Sequence, residues 1–171
     1  MSITQWAAEA RKGDDEAFAK LAGSCQERLY RIAYAYLKNE ADALEAVQET
    51  VCRAYTKIRK LKQPEYFLTW IIRILLNYCA DEAKRRSRSF RPLAEYDAGV
   101  WDATADPDLA AAIEGLDEKY RRIVVLMYFE GFTLTEIARI LELPDGTVKT
   151  RLHRALGELR RHLGEGEWNH A

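Results

Sequence analysis

Apolar residues recur along this chain at the three-to-four-residue spacing of helices, and no sustained strand-like alternation is present. Ser2 and Gln5 stand at capping distance and predict a short first helix ending near Gly13. A second helix is expected from Asp14-Asp15 through Phe18, Leu21, Leu29, Ile32, Ala33 and Tyr36, weakened in its middle by Gly23 and Ser24. Asn39 to Ala41 interrupt. A third helix then runs from about Asp42 to Ile58, with Ala46, Val47, Val51, Ala54 and Tyr55 as its apolar side. Lys57 to Gln63 forms a basic connector closed by Pro64, and a fourth helix spans Pro64 to Arg86. The period is lost between Ser87 and Asp106, where Pro92, Gly99, Asp97, Asp102 and Asp106 occur. It returns after Pro107 in a short helix to Gly115 and another from Asp117 to Glu130 through Ile123, Val124, Met127 and Tyr128, followed by a close helix pair. The expected fold class is all-α: two small helical domains, 1–90 and 107–165, joined by a flexible linker over 91–106. The second is small enough that its core is marginal without a partner.

The most informative stretch is that last helix pair, Gly131 to Arg154. Thr133 and Glu136 have capping-box spacing, and Ile137, Ala138 and Leu141 share one face, with small Ala138 where another helix can cross closely. Leu143-Pro144-Asp145-Gly146 predicts the turn, because proline disfavours helix in its predecessor and glycine tolerates the bend. Val148, Leu152, Ala155, Leu159 and Leu163 then face inward, leaving Thr147, Lys149, Thr150, His153 and Arg154 outside. A helix docked by one stripe, with donors and cations on the other, suits entry into a DNA major groove. An ordinary helical hairpin with a solvated basic face has the same pattern, so this stretch alone leaves both open.

A second constellation lies on the fourth helix. At about 100° per residue, Ile71, Ile72, Leu75, Leu76 and Cys79 gather on one side, while Trp70, Arg73, Asn77, Asp81, Lys84 and Arg88 fall near the other. An aromatic, an amide and cations on one stripe is a composition suited to unstacked bases and phosphates. It runs into Lys84-Arg85-Arg86-Ser-Arg-Ser-Phe-Arg91, the densest positive patch in the chain. The competing explanation is a tryptophan packed against the preceding helix and a basic, dipole-favoured helix end. The third helix carries Asp42, Glu45, Gln48 and Glu49 along one edge, either a solvated face or a docking surface for a protein partner.

Composition narrows the function classes. A formal net charge of −1 over 171 residues argues against a protein that coats DNA by bulk phosphate neutralisation. No Gly-rich phosphate loop, H-E-x-x-H or Glu-x-x-His pair is present, so neither an enzyme nor a metal or other cofactor is expected. The three histidines, His153, His162 and His170, all fall in the last helix or tail. Cys25, Cys52 and Cys79 are odd in number and widely spaced, as in a reducing compartment. No apolar run spans a bilayer and the N-terminus lacks signal-peptide layout, so a cytoplasmic protein without membrane insertion is expected.

Three segments together resemble bacterial sigma factors of the extracytoplasmic-function type. They are Asp42-Ala-Leu-Glu-Ala-Val-Gln-Glu-Thr-Val-Cys-Arg-Ala-Tyr55, Phe67-Leu-Thr-Trp-Ile-Ile-Arg-Ile-Leu-Leu-Asn77 with Asp81 and Arg85-Arg86, and Glu136-Ile-Ala followed by Pro144-Asp-Gly-Thr-Val-Lys-Thr-Arg-Leu-His-Arg-Ala155. The resemblance covers nearly the whole chain apart from the linker and last residues. It implies a non-enzymatic transcription initiation factor whose partners are core RNA polymerase, promoter DNA and an anti-sigma factor. Asp42, Glu45, Gln48 and Glu49 become the polymerase-docking edge. Trp70, Arg73, Asn77, Lys84 and Arg85 become the minus-ten and strand-opening stripe, with the connector Lys60 to Tyr66 as a base-specificity loop. Thr147, Lys149, Thr150, His153 and Arg154 become the minus-thirty-five readers, with Arg151 on phosphate. The sequence departs from the family at Glu142, where glycine is usual, and at Leu44 and Ala46 in the docking segment. The rival expectation is an autonomous helix-turn-helix regulator that binds operators as a dimer.

Overall fold

The computed structural model describes residues 1–88 and 107–164, with side chains through Arg86 in the first stretch. Every regular element among them is helical. The chain divides into two compact units, Met1–Ala94 and Glu95–Ala171. The expected linker, 91–106, lies outside the described residues.

In the N-terminal unit, α1 (Ile3–Lys12) opens on a capping box formed by Ser2 and Gln5 and ends at Gly13 with φ 105°, a left-handed conformation suited to glycine. α2 (Asp15–Leu37) is capped by Asp14 and runs unbroken through Gly23 and Ser24. Leu21, Cys25 and Leu29 are buried around that point, so tertiary packing outweighs the weak local propensity. α3 (Glu40–Lys57) starts earlier than expected because the Asn39 side chain accepts from the Asp42 amide at 3.0 Å, making Asn39 the cap. The connector folds into two 3-10 turns, Ile58–Lys60 and Pro64–Tyr66, and α4 (Phe67–Arg88) begins only after the second. Leu21, Leu29, Ile32, Phe67, Ile71, Ile72, Leu75 and Leu76 form the fully buried centre. Tyr55, expected on the apolar side of the third helix, is half exposed: its ring meets Phe18 edge-on at 5.2 Å and its hydroxyl donates to Asp15 at 2.8 Å.

The C-terminal unit contains α5 (Pro107–Glu114), α6 (Glu118–Val124), α7 (Leu134–Leu141) and α8 (Asp145–Leu163). The Arg121 guanidinium donates to the Glu114 and Leu116 carbonyls at 2.6 and 3.1 Å, satisfying the end of α5. The single helix expected from Asp117 to Glu130 changes winding: Val125–Phe129 form a wide π-type turn. The four consecutive residues Ile123, Val124, Val125 and Leu126 are all buried, whereas Tyr128 is exposed, so a single helical stripe does not describe this stretch. Ile113, Leu116, Tyr120, Val124, Ala155 and Leu159 tie α5, α6 and α8 into one core.

Candidate nucleic-acid interface

The turn between α7 and α8 lies earlier than the sequence pattern suggests. Thr133 and Glu136 form the expected capping box, and α7 ends on Glu142 in the left-handed region at φ 56°. The Leu143 amide donates back to Ala138 at 2.9 Å. Pro144 caps α8, so Asp145 and Gly146 belong to its first turn. The amides of Thr147 and Val148 donate to the Pro144 carbonyl at 3.0 and 3.2 Å. Proline needs no amide partner there, and Asp145 suits the positive end of the helix dipole. Val148, Ala155 and Leu159 are buried, and Leu152 and Leu163 partly so, as the inward stripe requires. Lys149, Thr150, His153 and Arg154 are exposed along the opposite face, flanked by half-buried Thr147 and Arg151. The Thr150 hydroxyl donates to the Gly146 carbonyl at 2.9 Å, which leaves its oxygen as an acceptor toward a ligand.

On α4, Asn77, Lys84 and Arg85 are exposed, while Trp70 and Arg73 are half-buried. The Trp70 ring leans on buried Phe67 with centroids 6.1 Å apart, so its position is set by the core while part of it faces solvent. Arg85 pairs with Glu82 at 2.9 Å, and that hydrogen bond raises its pKa further above the ordinary guanidinium value. Arg86 turns away from the stripe. It pairs with Asp42 on α3 and donates to the Leu37 carbonyl at 3.1 Å.

The acidic edge of α3 is therefore split. Asp42 joins α3 to α4 through Arg86, whereas Glu45 and Gln48 are exposed. Glu49 accepts from Arg53 at 2.9 Å, and the Arg53 guanidinium sits 5.3 Å from the centre of the Tyr78 ring. Burial, then the carboxylates of Glu82, Glu45 and Glu49, push the Tyr78 hydroxyl above its usual pKa. Sequence reasoning missed Arg53 and Tyr78. The first had a signal, its spacing of four from Glu49, but nothing in the α4 period points Tyr78 at α3. The 60–66 connector exposes Lys60, Lys62, Gln63 and Glu65, is anchored by buried Leu61, and has α1 packed against both its 3-10 turns.

Among the described residues no group of histidine, cysteine, aspartate and glutamate could hold a metal ion, and no helix is long and apolar enough to cross a membrane. All three cysteines are free thiols: Cys25 and Cys79 are buried and Cys52 is exposed. Burial pushes the Cys25 thiol up to about 11.

Two family models match this pair of units: "Sigma-70 region 2" over residues 21–89 and "Sigma-70, region 4" over residues 108–159. The ECF RNA polymerase sigma factor SigW of Bacillus subtilis is 31% identical over 95% of this chain and 97% of its own length. The chain belongs to the ECF type of the sigma-70 family. This ECF sigma factor is also 34% identical to the RNA polymerase sigma factor SigV of Bacillus subtilis, over 81% of this chain and 86% of SigV. Among solved structures it shares its fold with CnrH, which is in complex with the cytosolic domain of CnrY. The TM-score is 0.72 and the identity 24%, covering 96% of this chain and 98% of CnrH. The α8 face thus lies in the region 4 match, and the α3 edge and α4 stripe lie in the region 2 match.

Proposed function

We propose that this ECF sigma factor recognises promoters through two weak grips, α4 at the minus-ten element and α8 at the minus-thirty-five element, combined by core RNA polymerase. As a member of its family it binds core RNA polymerase and directs it to promoters. The observation that carries the two-grip reading is the pair of exposed polar stripes, Asn77 with Lys84 and Arg85 on one helix, and Lys149, Thr150, His153 and Arg154 on another. Each rests on a buried apolar stripe of its own helix, so side chains can reach a ligand while the backbone stays fixed.

On α8, Lys149 and Arg154 present donors suited to guanine edges, Thr150 presents a hydroxyl oxygen, and Arg151 sits at the rim for phosphate. On α4, Trp70 supplies a stacking surface fixed by Phe67, Asn77 an amide for a base edge, and Lys84 and Arg85 cations for the backbone. Capture of an extruded base offsets the few kcal/mol of unstacking that opening costs. The 60–66 connector reads an adjacent base, held in place by α1. Glu45 and Gln48, with the Glu49–Arg53 pair beside them, form the polymerase-docking edge, and Asp42 serves it indirectly by holding α3 against α4. The chain supplies no covalent chemistry; nucleotide addition belongs to the polymerase. An anti-sigma protein is a further expected partner, since the fold neighbour RpoE of Bartonella quintana is in complex with the anti-sigma factor NepR.

Run-off transcription with purified core polymerase tests this assignment. The wild-type chain is expected to direct initiation at discrete start sites. Asn77→Ala is expected to bind promoter fragments as well as wild type but to lower thymine reactivity to permanganate at the minus-ten element. Unchanged permanganate reactivity would remove Asn77 from opening.

A further inference from the structure

The connector between α3 and α4 is held at both ends. Ile58 and Leu61 are buried before it and Phe67 after it, which leaves the short run from Lys62 to Tyr66 at the surface. The Leu61 amide donates to the Ile58 carbonyl at 3.0 Å and the Tyr66 amide to the Gln63 carbonyl at 3.1 Å, closing each 3-10 turn. Helix α1 lies against both turns, and its buried residues are Ala7 and Ala10, side chains small enough for close approach. A charged group joins the same parts. A methyl placed on Gly13 would stand 3.5 Å from a nitrogen of the Arg59 guanidinium, so that cation lies at the C-terminal end of α1, where unpaired carbonyls favour positive charge. Lys12, in the last turn of α1 itself, is engaged by Glu9 at 2.8 Å. The Arg59 charge also acts on Tyr55: the hydrogen bond to Asp15 pushes that hydroxyl above its usual pKa, and Arg59 opposes the rise. Arg59 thus stands where the end of α1, the start of α2, the end of α3 and the first turn of the connector meet.

We infer that Arg59 is a positioning residue for minus-ten recognition: seated over the end of α1, it fixes the first 3-10 turn and with it the pose of the connector. The inference rests on the reading of residues 60–66 as a base reader and gives that reader a foundation in α1. The physical case is the shortness of the surface run. Few residues separate the fixed points Leu61 and Phe67, so loosening the first turn misplaces every side chain between them, and a recognition site tolerates only small misplacement. Arg59 is itself exposed, so direct contact with DNA is the alternative that the test has to separate.

The test measures binding by the polymerase holoenzyme to promoter fragments that differ at single minus-ten bases, and reads the ratio of affinities between the best and the worst base. That ratio is independent of the folded fraction, so lost stability alone does not move it. Arg59→Ala is expected to lower the ratio about fivefold, the lower end of what one base contact contributes, and to leave minus-thirty-five discrimination intact. Arg59→Lys keeps a cation at the helix end and is expected to hold the ratio near the wild-type value; a loss as large as that of alanine overturns the inference. A connector variant combining Lys62→Ala, Gln63→Ala and Glu65→Ala is expected to lower the ratio as well. Adding Arg59→Ala to it is expected to lower it no further, because a positioning residue acts only through the groups it places. An unchanged ratio for Arg59→Ala overturns the inference. So does an equal loss on every fragment with a shallower salt dependence, which marks a phosphate contact. An additive loss in the combined variant also overturns it, since it marks base reading by Arg59 itself. If the connector variant lowers the ratio while Arg59→Ala does not, the connector reading stands and the positioning role alone falls. If neither lowers it, both fall.

Discussion

In the N-terminal unit the Asp42–Arg86 pair joins α3 to α4, whereas in the C-terminal unit Lys149, Thr150, His153 and Arg154 stand exposed on α8. The contrast extends to the neighbouring groups. Glu49 pairs with Arg53, which lies over Tyr78, and Trp70 leans on the buried Phe67 ring. The first unit therefore builds part of its proposed binding surface from groups that also brace its helices. The second separates the two tasks across opposite sides of one helix. Substitutions in the first unit should mix loss of stability with loss of binding, and substitutions on the α8 face should change binding alone.

The strongest way to break this contrast is at the base of the α4 stripe. Phe67 is 1% exposed, and Phe67→Ala should destabilise the N-terminal unit by about 3–5 kcal/mol, read from urea unfolding. The same change should release Trp70, so promoter opening by the residual folded protein should also fall. Asp42→Ala should cost less. The pair is partly buried, between the exposed case of under about 1 kcal/mol and the buried case of about 3–5 kcal/mol. A double-mutant cycle with Arg86→Ala should show coupling in unfolding, and polymerase affinity should drop in parallel with stability. On the other side of the comparison, Arg154→Ala should leave unfolding unchanged and lower discrimination at one base pair by about 1–3 kcal/mol, measured on single-substituted promoter fragments. Equal loss on every fragment would place Arg154 on phosphate instead. The smallest effect is expected at the turn: Glu142→Gly removes the left-handed strain of φ 56° and should stabilise the C-terminal unit by about 0.5–1 kcal/mol, without altering promoter preference.

How much of this was legible in the sequence follows from which interactions are local. Helical period gave α2, α4 and α8 and most of their buried residues, because each helix buries a regular stripe such as Ile71, Ile72, Leu75 and Leu76. Capping boxes at Ser2–Gln5 and Thr133–Glu136 were readable because both partners lie within one turn. Three features were not. The π-type turn at Val125–Phe129 begins inside the buried run Ile123–Leu126 and ends at exposed Tyr128, so no regular stripe reports its winding. The start of α8 at Asp145 is hidden because Pro144 and Gly146 are turn-forming residues, yet proline stands at the N-cap and glycine enters the helix. The inward turn of Asp42 depends on Arg86, 44 positions away, and no local spacing predicts such a pair. Along the α8 face, exposure of Lys149, Thr150, His153 and Arg154 followed from period alone.

The central claim is that α4 and α8 act as two weak contacts made decisive by a polymerase that holds them at a set separation. Its most direct test inserts base pairs between the minus-ten and minus-thirty-five elements in steps across one helical turn, about 10 base pairs. Binding by the holoenzyme and by the free chain is then compared on each fragment. The account predicts that holoenzyme affinity and transcription fall sharply at a half-turn insertion, while the free chain binds every fragment weakly and equally. Tight binding by the free chain, or holoenzyme affinity indifferent to the spacing, would contradict it.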